Sequence, residues 1–219
     1  MAADSGPSPK VTRAADIPAG AARFVLVRHG ETDYNKLGRW QGAGSDPPLN
    51  PTGFDQARAI AGELEGWRVD ALYTSPQQRA RQTATVIADR LGIAPQVIDD
   101  LREMDHGLWE GKTKEEILAR WAAENEAFEV DPVHVRRPGG DSYSDLAARV
   151  WPALEALAGR HRGEQVVLVT HGGPIRLVLS RVLGRPLTER QAFGVENGTL
   201  FAVEESGGDW RRSQIQGSR

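Results

Sequence analysis

Short apolar runs rich in β-branched residues recur along the chain and set its rhythm. Phe24-Val25-Leu26-Val27, Ala71-Leu72-Tyr73 and Val166-Val167-Leu168-Val169 show no polar alternation, the pattern of strands buried on both faces. Gln96-Val97-Ile98 is a weaker candidate, and Thr199–Val203 reads as a strand that ends where the chain turns acidic at Glu204. Between these runs apolar residues fall at helical spacing. Thr52-x-x-Asp55 has the form of a capping box opening a helix with Ala57, Ile60, Ala61 and Leu64 on its inner side. A second helix reads from about Gln77 to Leu91 (Ala80, Ala84, Ile87) and a third over about Ser142–Ala158 (Leu146, Val150, Leu154, Leu157). Gly173-Pro174 starts a fourth, with Pro174 at the first helical position, where its missing N–H costs nothing. Such alternation predicts an α/β three-layer sandwich: a largely parallel central sheet with helices on both faces.

Three stretches break the rhythm. Residues 112–138 are charged and helix-prone, then interrupted by Asp131-Pro132 and Arg136-Arg137-Pro138-Gly139-Gly140, and read as a lid or insertion. It sits within one domain spanning 21–204, between a flexible extension over 1–20 and a polar tail over 205–219. A chain of 219 residues is long enough for one full core. A net charge of -3 gives no electrostatic case for nucleic acid, so a bound anion would need positive charge gathered locally. The absence of cysteine excludes disulfides, thiolate catalysis and Cys-ligated metals, and suits a cytoplasmic protein. No apolar run approaches the ~20 residues of a membrane span, and the N-terminus lacks the apolar stretch of a signal peptide.

In open α/β sheets ligands bind beyond the carboxyl ends of the strands. The first strand runs into Arg28-His29-Gly30-Glu31-Thr32, and the second into Thr74-Ser75-Pro76 with Arg79 a turn later. The third runs into Thr170-His171-Gly172-Gly173. Two histidines and two arginines are thus aimed at one crevice, and an arginine fork pairs with phosphate in bidentate fashion. Gly172-Gly173 before a helix leaves backbone N–H groups for an anion. This chemistry suits a phosphoryl group.

Arg28-His29-Gly30-Glu31-Thr32, with Asn35 just after, resembles the signature of the histidine phosphatase superfamily, the phosphoglycerate-mutase-like fold. Further similar segments follow in family order: Gly38-Arg39-Trp40-Gln41-Gly42, Leu49-Asn50-x-x-Gly53, Ser75-x-x-x-Arg79, Leu101-Arg102-Glu103, Gly107-x-Trp109-Glu110-Gly111, Gly139-Gly140-Asp141-Ser142 and Thr170-His171-Gly172-Gly173. The resemblance covers about Phe24 to Val203. It implies that His29 is the nucleophile, which requires a neutral ring. It implies that Arg28, Arg79 and His171 neutralise the phosphoryl oxygens, and that Glu103 protonates the leaving oxygen and then activates water. Asn35, Gln41, Gly42 and Gly172 join Arg28, Arg79 and His171 as implied substrate-binding residues. Asp105 and Glu110 lie close enough to rival Glu103, Asp105 the more serious of the two. His106 stands where the family often has an aromatic residue, so it either packs or touches substrate. Asp141 stands where glutamate is more usual. Trp40, Gln41, Trp109 and residues 112–138 are the candidate specificity determinants.

The implied activity is that of an acid-phosphatase-type phosphoric monoester hydrolase, metal-independent and cofactor-free, acting on small phosphorylated metabolites through a phosphohistidine. Two alternatives stay open: a cofactor-dependent phosphoglycerate mutase, or a catalytically weak phosphate-binding module. Glu103 is followed by Met-Asp-His-Gly-Leu-Trp-Glu-Gly, similar to the phosphatase branch. A mutase also needs a second basic pocket, and Arg136-Arg137 reads as a solvated loop. The implied partner is a small phosphomonoester, without nucleic acid or membrane, and the chain is either monomer or homodimer.

Overall fold

The computed structural model describes residues 17, 18 and 20–213. Most of the extension predicted over residues 1–20, and residues 214–219 of the tail, lie outside the described residues. Six strands form one mixed sheet: β1 (Ala22–Arg28), β2 (Ala71–Thr74), β3 (Gln96–Val97), β4 (Gln165–Thr170), β5 (Leu200–Ser206) and β6 (Asp209–Arg212), in the order β3-β2-β4-β1-β5-β6. The first four of that order are parallel, and β5 and β6 then add antiparallel neighbours at one edge. The all-apolar central strands are buried on both faces, as unalternated runs require.

Helices α2 (Pro51–Glu63) and α3 (Gln78–Leu91) cover one face, packing Ile60, Ala61, Ala80, Ala84 and Ile87 against Val25, Val27, Val167 and Val169. Helices α4 (Lys114–Val130), α5 (Tyr143–Arg160) and α6 (Gly172–Leu183) cover the other, with Phe128, Leu146, Leu154 and Ile175 over Phe24, Leu26 and Leu168. A single turn, α1 (Asp33–Lys36), follows β1.

Several expectations change. The cap of α2 is Asn50, whose side chain accepts from the Gly53 N–H at 2.9 Å; the capping box read at Thr52 lies inside the helix. Pro51 needs no N–H partner and is preset to helical φ, so the start moves forward to it. Similarly, α6 begins at Gly172, capped by His171, and Pro174 is its third residue, still within the turn whose N–H groups have no helical partner. The strand predicted to stop at Val203 continues to Ser206 and turns back as β6, so residues 205–212 are mostly sheet rather than tail. Its acidic pair is accommodated by partners both distant and near in sequence: Glu204 accepts from Arg23 across the sheet and from Arg211 and Ser213 just after the turn, and Glu205 pairs with Arg162. Within the predicted lid, α4 buries Ile117 and Phe128 in the same core as Trp109 and Tyr143.

Candidate active site

Register brings the two histidines together. Arg28 of β1 pairs with Thr170 of β4, so the residues that follow, His29 and His171, leave the sheet side by side. His29 N–H donates to the Thr170 carbonyl at 3.0 Å, and the two imidazole centroids lie 5.1 Å apart. The next strand over ends at Thr74, and the Ser75 N–H donates to the Val169 carbonyl, setting the Ser75 hydroxyl 2.7 Å from His171 Nε2. Beyond the strand ends, Gly30 and Gly53 meet backbone to backbone: a Cβ on Gly30 would lie 2.3 Å from the Gly53 carbonyl oxygen. That contact holds the His29–Gly30 turn against the start of α2.

The His29 ring is nearly fully buried, and its Nδ1 lies 2.7 Å from the Gly30 carbonyl. A carbonyl can only accept, so the neutral ring carries its proton on Nδ1 and keeps the Nε2 lone pair. Burial holds this imidazole well below its ordinary pKa, and Arg79 and Arg28 push it further in the same direction. His171 is held low for the same first reason, burial, with Arg79 next. Burial, together with Arg176, lowers the Arg28 guanidinium to about 10, leaving it charged at neutral pH. Arg28 Nε, Arg79 Nε and His171 Nδ1 are buried without a hydrogen-bond partner in the protein. Polar atoms in that condition around two histidines suit an oxyanion.

Glu103 reaches the same place from a short 3₁₀ turn over Asp99–Leu101, anchored by the Thr170 hydroxyl, which donates to the Leu101 carbonyl at 2.6 Å. Its own N–H donates to Gln77, and both its carboxylate oxygens lie 3.1 Å from the Gly173 N–H at the start of α6. Both rivals face other tasks. Asp105 accepts from the Gly107 N–H and Glu110 from the Gly44 N–H, each bracing a loop. Asp141 accepts from the Asp105 N–H at 2.9 Å, so its shorter side chain holds the loop that carries His106.

A cavity of about 240 Å³ opens over this centre, with Arg28, His29, Asn35, Gln41, Glu103 and Gly172 on its wall. Arg79, His171 and Gly42 are not on that wall. Arg79 lies wholly buried behind it, donating to the Ser45 and Gly42 carbonyls, and the Gly42 carbonyl also accepts from Gln77. His106 lines the cavity edge-on to Trp40. His134 and His161 face away, His134 with Asp131 and His161 between Tyr73 and Glu164.

Sequence reasoning missed Arg176, Arg190 and Tyr143 on the wall, and it misplaced Arg137. Arg136 is exposed and paired with Asp145, as a solvated loop predicts, but Arg137 is only 3% exposed and lines the cavity. Arg176 is one turn beyond Gly172 on α6, a same-face relation that the correct helix start makes legible. Asn197 was also missed: its amide donates to the His29 carbonyl and to Asn35, clamping the turn that carries His29. Among the described residues no group of three or more His, Asp or Glu side chains is placed to hold a metal ion, and no helix is long and apolar enough to cross a membrane.

The family model described as histidine phosphatase superfamily (branch 1) matches residues 24–216. The chain is 34% identical over 181 residues to phosphoserine phosphatase 1 of Hydrogenobacter thermophilus, covering 83% of this chain and 85% of that one. It is 38% identical to the metal-independent phosphoserine phosphatase of Arabidopsis thaliana, over 76% of this chain and 71% of the relative. A Serratia proteamaculans chain named as a phosphoglycerate mutase is 32% identical, over 87% and 88%. Among solved structures, the mycobacterial glucosyl-3-phosphoglycerate phosphatase superposes with a TM-score of 0.79 at 32% identity, covering 90% of this chain and all of that one.

Proposed function

The chain belongs to the histidine phosphatase superfamily, branch 1, and from that premise we propose that it is a phosphomonoesterase that hydrolyses small phosphorylated metabolites through a phosphohistidine on His29. The observation that carries this reading is the state of the His29 ring. It is neutral, fixed by the Gly30 carbonyl through Nδ1, and flanked by Arg28 and His171 with Glu103 across the cavity. Nε2 attacks phosphorus as the P–O ester bond breaks, and the departing oxygen takes a proton from the Glu103 carboxyl. Arg28 on the cavity wall meets the phosphoryl oxygens directly. Arg79, buried behind the wall, adds fixed positive charge, and neutral His171, whose Nδ1 has no protein partner, adds a donor. Such preorganised charge is the usual source of most of the acceleration. Water then attacks the phosphohistidine while the Glu103 carboxylate accepts its proton, returning both groups to their starting states.

Relatives named as phosphatases, one of them as metal-independent, support hydrolysis, and a relative named as a mutase keeps phosphoryl transfer between hydroxyls as the second reading. A turnover screen in EDTA against a panel of phosphomonoesters, including 3-phosphoglycerate with a trace of its bisphosphate, separates the two. Hydrolysis yields inorganic phosphate, whereas a mutase yields the isomeric ester. Wild-type protein quenched in turnover is expected to carry acid-labile, alkali-stable phosphate, and His29→Ala none. Phosphoenzyme on His29→Ala would remove His29 as the nucleophile.

A further inference from the structure

Four arginines reach the cavity beyond the nucleophile turn, and they differ in how their charge is met. Arg39 donates to the Gly111 carbonyl and Glu116, and Arg190 to Glu129 and the Leu187 carbonyl. Arg176 donates its Nε to the Arg190 carbonyl at 3.3 Å. Among the described residues Arg176 also pairs with no carboxylate, but it is only half-buried, whereas Arg137 is 3% exposed. The Arg137 Nη1 meets only the Met104 sulfur and the Asp141 carbonyl, its Nε is buried without a partner, and among the described residues no carboxylate pairs with it. The nearby acids are engaged elsewhere, Glu103 with the Gly173 and Met104 N–H groups and Asp141 with the Asp105 N–H.

An aromatic box holds this guanidinium. Its carbon sits 4.0 Å from the Phe128 ring centroid, 5.4 Å from Trp40 and 5.8 Å from Trp109. Ring faces stabilise a cation, yet a buried charge with no counter-ion remains costly unless an anion completes it. With Nη1 occupied, the edge bearing Nε is the one left, and one guanidinium edge matches the two oxygens of a carboxylate. The cavity, at about 240 Å³, falls below the 300–1,000 Å³ typical of drug-sized ligands, so the two ends of its occupant lie only a few bonds apart.

We infer that Arg137 is a specificity residue, and that the substrate is a small phosphomonoester carrying a carboxylate that pairs with this guanidinium while its phosphoryl group faces His29. This rests on the phosphatase reading for the orientation of the phosphoryl group. The carboxylate itself is read from Arg137 and is tested without turnover.

Calorimetric binding of 3-phosphoglycerate and glycerol 3-phosphate, which differ by a carboxylate against a hydroxymethyl, is measured on His29→Ala protein, where no ester is consumed. The acid is expected to bind roughly 10- to 100-fold more tightly, the worth of a charge-assisted pair. In His29→Ala/Arg137→Met, a variant of similar volume without the fork, that preference should collapse towards unity. Arg137→Lys should keep part of it and provides the measurement if the methionine variant does not fold. Equal affinity for the two esters in the Arg137 protein, or an undiminished preference in the folded variants, overturns the assignment. Loss of turnover in the wild type with the binding preference intact would count against the phosphatase reading alone.

Discussion

At the scale of single residues, the question is which carboxyl handles the protons. Glu103 lines the cavity and contacts the first turn of α6, whereas Asp105 and Glu110 are committed to loop N–H groups. Glu103→Gln keeps the shape but can neither protonate a leaving oxygen nor activate water. An alkyl phosphate, whose alkoxide needs a proton, should lose the ~10²–10⁴-fold that general acid catalysis supplies. An aryl ester such as p-nitrophenyl phosphate leaves unaided, so its phosphorylation step should suffer much less while dephosphorylation stays slow. Mixing the variant with the aryl ester should release a burst of nitrophenol near one equivalent before a slow steady state. Equal losses on both esters with no burst would transfer the role away from Glu103, and Asp105 would be the next residue to replace.

At the scale of elements, the start of α6 is shaped by the same carboxylate. A Cβ at Gly173 would lie 2.2 Å from Glu103 Oε1, inside any tolerable contact, with Leu146 at 3.4 Å beside it. Gly173→Ala must therefore push Glu103 off the helix N-terminus, and it should reproduce the Glu103→Gln signature: a larger loss on alkyl than on aryl esters. A uniform loss on both would mean that the alanine perturbs the phosphoryl site rather than the acid. The elements that build this site were legible because their signals are local. Unalternated runs marked β1, β2 and β4, and the residues just past their ends are next to each other through register alone. The β5–β6 hairpin was not legible, because the Glu204 carboxylate is buried in the strand against Arg23, which lies 181 residues away, outside any local window of sequence. Arg137 failed for the same reason. Its neighbours in sequence are polar and turn-forming, while the rings that bury it come from Trp40, Trp109 and Phe128.

At the scale of the whole molecule, the site makes folding sensitive to acid. His29, His106 and His171 are all buried, and burial holds each well below its ordinary value; Arg79 adds to that for His29 and His171, and Arg137 for His106. In the unfolded chain each titrates near 6.5. Above that pH neither state carries their protons, and the three contribute their full stability. As pH falls through about 6.5, the unfolded chain takes up protons that the folded one refuses, so stability drains by up to about 1.4 kcal/mol per pH unit for each histidine. Glu204, lowered on folding through hydrogen bonds with Arg23, Arg211 and Ser213 despite its burial, loses stability only at lower pH and with the same sign. Tm should therefore fall steadily between pH 7 and 5. His106 separates this effect from general acid damage. Its Nδ1 has no partner and its ring stands edge-on to Trp40, so His106→Phe keeps the aromatic contact and removes one titrating group. The variant should lose Tm less steeply, by about one histidine's share of the slope. A wild-type Tm that is flat across this range, or a phenylalanine variant with the full slope, would show that these imidazoles accept protons in the folded state.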